Sequence, residues 1–147
     1  MLELALLLYV LSINPNIQHS EYISTNKDVT CMATALYNES RGEPLFGTFG
    51  VANVILNRVS SNRFPNTVCG VINQKNQFTY NKNNPIYDTD SYNKMLLISL
   101  FSMTMYKANE KYTDDNILWY HRTDVDMKWD DSLKVAYIVK NHIFYKE

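Results

Sequence analysis

Two glutamates four residues apart flank a point where a helix should break. Residues 35–44 read Ala-Leu-Tyr-Asn-Glu-Ser-Arg-Gly-Glu-Pro, with Glu39 before Gly42 and Glu43 after it. A carboxyl in the last turn of a helix feels the negative end of the helix dipole. That field disfavours the ionised form, and burial acts in the same direction. A carboxyl raised in this way can stay protonated near neutral pH and deliver a proton to a leaving oxygen. The competing reading is a solvated helix end with no chemistry, and the ten residues alone do not choose between them.

The surrounding elements must decide what these acids face. Asp28 is the expected N-cap of the first helix, and Cys31, Ala35 and Glu39 recur on one face at i+4 spacing. Gly42 closes that helix and Pro44 opens the next. In the second helix Phe49, Ala52, Ile55, Leu56 and Val59 repeat at helical spacing. Pro65 starts a short helical segment through Cys69. Residues 73–90 form a long polar loop rich in Asn, with one short strand expected at 77–80. Asp90 or Ser91 caps a third long helix, whose apolar run through Met95, Ile98, Leu100 and Met103 makes it the central buried one, fading out near Lys111. Residues 116–120 read as a strand. Residues 134–139 and 142–145 read either as two strands turning at Lys140-Asn141 or as one helix. The class is α+β, mainly helical with a small sheet of short strands along one side.

Composition narrows the function. The formal net charge is −1 with no basic block, which argues against a nucleic-acid partner. It leaves room for a polar, weakly charged polymer such as a glycan, and 11 tyrosines suit a wet, semi-polar groove. Cys31 and Cys69 show no zinc spacing, so no metal or other cofactor is expected. Taken alone they read equally as two buried thiols or one disulfide. Residues 1–27 form an apolar run and a polar linker, and 28–147 the folded domain. The run Met1–Ile13 has the length of a signal-peptide core but lacks a basic start. A degenerate export or anchor signal is favoured over a packed helix or a segment that docks on a membrane or another protein.

The order of segments resembles the cell-wall hydrolase family typified by the spore-cortex-lytic enzyme SleB. The likeness begins at Cys-Met-Ala-Thr-Ala-Leu-Tyr-Asn-Glu-Ser-Arg-Gly-Glu-Pro-Leu (31–45). It continues through Gly-Val-Ala-Asn-Val-Ile-Leu-Asn-Arg-Val (50–59) and Arg-Phe-Pro-Asn-Thr-Val-Cys-Gly-Val (63–71). Gln-Phe-Thr (77–79), Trp-Tyr-His (119–121), Trp129 and Asn-His-Ile-Phe-Tyr (141–145) complete it. Two positions depart: Ser40 stands where the family has Ala, and Thr79 where it has Ser.

The resemblance implies a lysozyme-like domain that cleaves peptidoglycan between N-acetylmuramic acid and N-acetylglucosamine, in the manner of a lytic transglycosylase. It places the catalytic acid on Glu39, and Glu39-Ser40 resembles the Glu-Ser pair of soluble lytic transglycosylases. It also implies a Cys31–Cys69 disulfide. Glu43 is expected to be structural, capping the second helix or pairing with Arg41 or Arg58, and Arg58 to hold loops beside the site. Ser40, Gln77, Phe78, Tyr80, Tyr120 and His121 are the candidates for substrate contact. For Phe78 an inward position in the core is the equal alternative, and for His121 a structural hydrogen-bonded role is favoured over a base. Trp129 stacks on sugar or closes the core. Asp124 and Asp126 read as a polar turn. A muramidase that uses water, or a catalytically silent glycan-binding or virion module, are the other readings. A stand-alone catalytic domain with an apolar start is expected of a bacteriophage lysis enzyme or a small bacterial wall hydrolase, exported to the periplasm or carried on a virion.

Overall fold

The computed structural model describes residues 26–81, 83–110, 113–128 and 132–147. The apolar run at Met1–Ile13 and Trp129 lie outside the described residues. Helix α1 spans Lys27–Ser40, α2 Leu45–Ser60, α3 Val68–Asn73 and α4 Thr89–Lys107. Three strands follow: β1 Ile117–Arg122, β2 Lys134–Val139 and β3 His142–Lys146. Among the described residues no helix is long and apolar enough to cross a membrane.

The N-cap of α1 is Asn26, not Asp28. The Asn26 side chain accepts from the backbone N–H groups of Asp28 and Val29 at 3.1 and 3.3 Å. Asp28 lies in the first turn, and its carboxylate accepts from the Cys69 N–H at 3.1 Å, joining α1 to α3. The Cys31–Cys69 disulfide ties the same two helices, with Cα atoms 5.4 Å apart. Val29, Met32, Ala33, Leu36 and Tyr37 form the buried stripe of α1. The helix ends at Ser40, and Gly42 turns the chain at φ +88°, a conformation open to glycine.

Pro44 caps α2 without a side-chain acceptor, so Glu43 does not serve there. The cap of α4 is Asp88, whose carboxylate accepts from the Ser91 N–H at 3.0 Å, rather than Asp90 or Ser91. The helix stops at Lys107. The short segment after Pro65 begins later than expected, at Val68, because the Thr67 hydroxyl accepts from the Gly70 N–H at 3.0 Å and sets the start.

No strand forms at 77–80. A turn closed by Gln77 N–H to the Gln74 carbonyl precedes it, with Asn76 left-handed at φ 64°, and the sheet offers that segment no edge partner. Residues 134–145 resolve into a hairpin. The sheet is antiparallel in the order β1-β3-β2, with Val139 opposite His142 across a turn where Lys140 takes φ 46°. The sheet rides directly on α2: a Cβ on Gly50 would meet the Phe144 ring at 2.5 Å, so only glycine admits that approach.

Candidate active site

Glu39 occupies the last turn of α1, half-buried beneath β1. The Tyr120 hydroxyl on β1 donates to Glu39 Oε2 at 3.3 Å. Burial raises the Glu39 pKa above its ordinary value, while the Tyr120 bond and the nearby Arg122 charge pull against that rise. In the other direction, burial and then the Glu39 charge push the Tyr120 phenol well above its usual range. The Tyr80 phenol is pushed up to about 12, first by burial and then by Glu39.

The chain reversal after Glu39 is clamped by the β2–β3 turn. Lys140 Nζ donates to the Gly42 carbonyl at 2.8 Å, and Asn141 Nδ2 donates to Glu43 Oε1 at 2.7 Å. The Asn141 N–H reaches Glu43 Oε2 at 3.4 Å. Glu43 therefore pairs with the hairpin and not with Arg41 or Arg58. His142 completes the underside. It is 1% exposed, its Nδ1 lies 4.0 Å from Glu43 Oε2, and neither ring nitrogen has a hydrogen-bond partner among the described residues. Its ring meets that of Tyr120 edge-on at 5.4 Å.

Above Glu39 opens a groove of about 550 Å³, lined among others by Arg58, Gln77, Thr79, Trp119, Tyr120 and Arg122. Glu39 is the only carboxylate among the described residues that line it. Gln77 is exposed on its wall. Arg58 is 5% exposed and gives Nε to the Leu118 carbonyl at 2.8 Å and Nη1 to Gln77 Oε1 at 3.0 Å. Asp124 points away into an exposed pair with Arg122 at 3.0 Å. Among the described residues no three His, Cys, Asp or Glu side chains gather as a metal-ligand set.

Several substrate-contact candidates sit elsewhere. Ser40 is 1% exposed and donates to the Leu36 carbonyl at 2.8 Å. One step along a helix rotates a side chain by about 100°, so the neighbour of a groove-facing Glu39 turns into the core. Phe78 is buried in the core, with Tyr80 half-buried against it at 6.5 Å between ring centres. His121 borders the groove but is committed: Nε2 bonds to the Tyr145 hydroxyl at 2.8 Å and Nδ1 faces the Arg122 carbonyl at 2.7 Å. Arg122, Trp119 and the Lys140-Asn141 clamp were not anticipated. The charge of Arg122 next to Tyr120-His121 was the one signal that could have drawn it in.

A family model described as Cell Wall Hydrolase matches residues 42–145, beginning three residues after Glu39. The spore cortex-lytic enzyme of Bacillus cereus is 52% identical over 65 residues, which cover 44% of this chain and 25% of that protein. The enzyme of the same name from Bacillus subtilis (strain 168) is 46% identical over 63 residues, covering 43% and 21%. The matched stretch thus spans about a quarter of these relatives' length. Among solved structures, the catalytic domain of the germination-specific lytic transglycosylase SleB from Bacillus anthracis aligns with a TM-score of 0.64 at 37% identity. That alignment covers 83% of this chain and 96% of the other. The Bacillus cereus SleB catalytic domain aligns at 0.63 and 38%, covering 81% and 89%. The lysozyme-like α+β fold is common to all three.

Proposed function

Because the chain belongs to the cell wall hydrolase family, we propose that it cleaves peptidoglycan glycan strands as a lytic transglycosylase, with Glu39 as its acid and then its base. The observation that carries the reading is a single half-buried carboxyl of raised pKa, facing a groove whose described lining holds no second acid. Glycosidases that use water as nucleophile ordinarily pair two carboxylates. One carboxyl suffices when the sugar supplies its own nucleophile.

The steps balance on that one group. Protonated Glu39 gives its proton to the glycosidic oxygen as the bond from C1 of N-acetylmuramic acid breaks, and N-acetylglucosamine leaves as an alcohol. The glutamate, now ionised, takes the proton of the muramoyl C6 hydroxyl. The C6 oxygen bonds to C1, leaving a 1,6-anhydro end and Glu39 protonated again, with no water consumed. Tyr120 holds the carboxyl in place through the cycle, and the burial that raises its pKa supplies the starting proton. The substrate puts the site of action at the cell wall. Delivery there through the apolar N-terminal segment is part of the same proposal.

Digestion of purified peptidoglycan followed by mass spectrometry tests it. Muropeptides with ends one water lighter than reducing ends are expected. Reducing ends alone would establish a water-using muramidase, and binding without released fragments a silent glycan-binding module. Glu39→Gln should lower wall clearing by at least about a hundredfold with folding intact; a variant that clears normally removes Glu39 from the mechanism.

A further inference from the structure

We propose that Gln77 recognises the acetamido carbonyl of a sugar bound beside Glu39, and that Arg58 confines it to that role by fixing which end of its amide faces the groove. The inference rests on the glycan-cleaving reading above. Its starting point is a property of guanidinium: every polar hydrogen is a donor and there is no acceptor. Arg58 Nη1 meets the Gln77 amide at 3.0 Å, so the atom it meets must be the oxygen, Oε1. Reversing the amide would set an NH2 group against a cation.

Arg58 cannot yield to such a reversal. It is 5% exposed, anchored through Nε on the Leu118 carbonyl at 2.8 Å, and its guanidinium lies over the Phe64 ring at 5.2 Å. Gln77 itself is exposed on the groove wall. Arg58 takes one of the two lone pairs of Oε1, while both Nε2 hydrogens stay open to a ligand, and among the described residues none accepts them. Donation onto Oε1 also polarises the amide and strengthens its N–H donors. A free glutamine can turn either end of its amide to a ligand; Arg58 holds this one in a single orientation, with its NH2 end left to donate. On a chain of N-acetylated sugars the strongest neutral acceptor is the acetamido carbonyl.

The test compares kcat and KM of the full chain and of Gln77→Glu and Gln77→Met on N-acetylated peptidoglycan and on the same material N-deacetylated. Gln77→Glu keeps an acceptor for Arg58 and removes both donors; Gln77→Met removes both functions. On acetylated glycan both should raise KM about tenfold to a hundredfold, with kcat changed little and Tm held. On deacetylated glycan Gln77→Met and the wild type should converge, and Gln77→Glu, whose carboxylate can pair with the freed ammonium, should show no loss. An equal loss on both substrates, or no loss on the acetylated one, overturns the proposal, the former pointing to the lactyl carboxylate or a hydroxyl. Binding of an acetylated chitooligosaccharide, against its deacetylated counterpart, to Glu39→Gln with and without the Gln77 change gives the same comparison without turnover. A wild type that releases no fragments but shows this acetyl-dependent binding overturns the catalytic reading and upholds the Gln77 assignment.

Discussion

Glu39 and Tyr120 shift each other in opposite senses. The Tyr120 hydroxyl stabilises the Glu39 carboxylate by donating to it, and that carboxylate makes ionising the phenol harder. Burial, the largest influence on Glu39, acts against the Tyr120 bond and raises the Glu39 pKa. Tyr120→Phe leaves the burial and removes the donor, so the Glu39 pKa should climb further. A general acid works in its protonated form, and its active fraction falls as pH rises through its pKa. The alkaline limb of kcat/KM against pH should therefore move to higher pH in Tyr120→Phe, even if the maximum rate drops. A uniform fall at every pH would mean that Tyr120 only packs. At this scale the sequence was informative where chemistry and a backbone break coincide, as at Glu39 and Gly42. It turned Ser40 the wrong way and left Phe78 open between groove and core, because which way a side chain faces depends on elements far away in the chain. Ser40 turns inward on a helix whose rotation is set by packing on α4, and Phe78 is drawn into the core from a segment that finds no strand to pair with.

The elements hold Glu39 from both ends of α1. At the start, the Cys31–Cys69 bond and the Asp28 contact to the Cys69 N–H fasten α1 to α3. At the end, Lys140 and Asn141 of the β2–β3 turn grip the Gly42 carbonyl and the Glu43 carboxylate. The bond closes a separation of 38 residues, for which loop-closure entropy suggests a contribution of about 3–4 kcal/mol. Replacing both cysteines by alanine should lower the unfolding free energy by about that amount in denaturant titrations. Activity at a temperature where the variant stays folded should fall much less, since the hairpin clamp remains. A loss below about 1 kcal/mol would show that the reduced chain is already restrained by other contacts. The helices were legible because their apolar spacing is strong over many turns. The hairpin was not separable from a helix by periodicity: residues 135–139 and 143–145 are short unbroken apolar runs that show no period, and only the left-handed Lys140 and the pairing across it decide. The clamp on Glu43 joins positions 98 residues apart, and no local pattern announces it.

Across the whole molecule, the site places two titratable groups of opposite kind against Tyr120, Glu39 at its hydroxyl and His142 at its ring, and burial disfavours the charged form of both. For Glu39 the folded pKa is raised above its ordinary 4.5, and for His142 it is lowered from 6.5, mainly by burial, with Glu43 opposing and Arg122 reinforcing. The consequences for stability have opposite signs. Glu39 imposes no penalty at low pH; its penalty grows as pH rises from 4.5 through the raised value and persists at neutrality. His142 imposes none above 6.5; its penalty grows as pH falls below that through the lowered value. Glu39→Gln should thus unfold at the same temperature as the wild type in acid and at a higher one near neutral pH, gaining stability while losing activity. His142→Phe, which keeps a ring against Tyr120 and Phe144, should show the reverse: its Tm relative to the wild type should rise as pH is lowered below 6.5. Thermal unfolding of the three proteins from about pH 4 to pH 8 separates these effects from packing. Differences that do not change with pH would assign both groups to shape alone. Curves that diverge at opposite ends would show that the protein gives up stability at Glu39 to keep its acid protonated. They would also show His142 buried as a neutral ring beneath the acid's partner, where a protonated imidazole would add a charge that Tyr120 and Glu39 have no bond to meet.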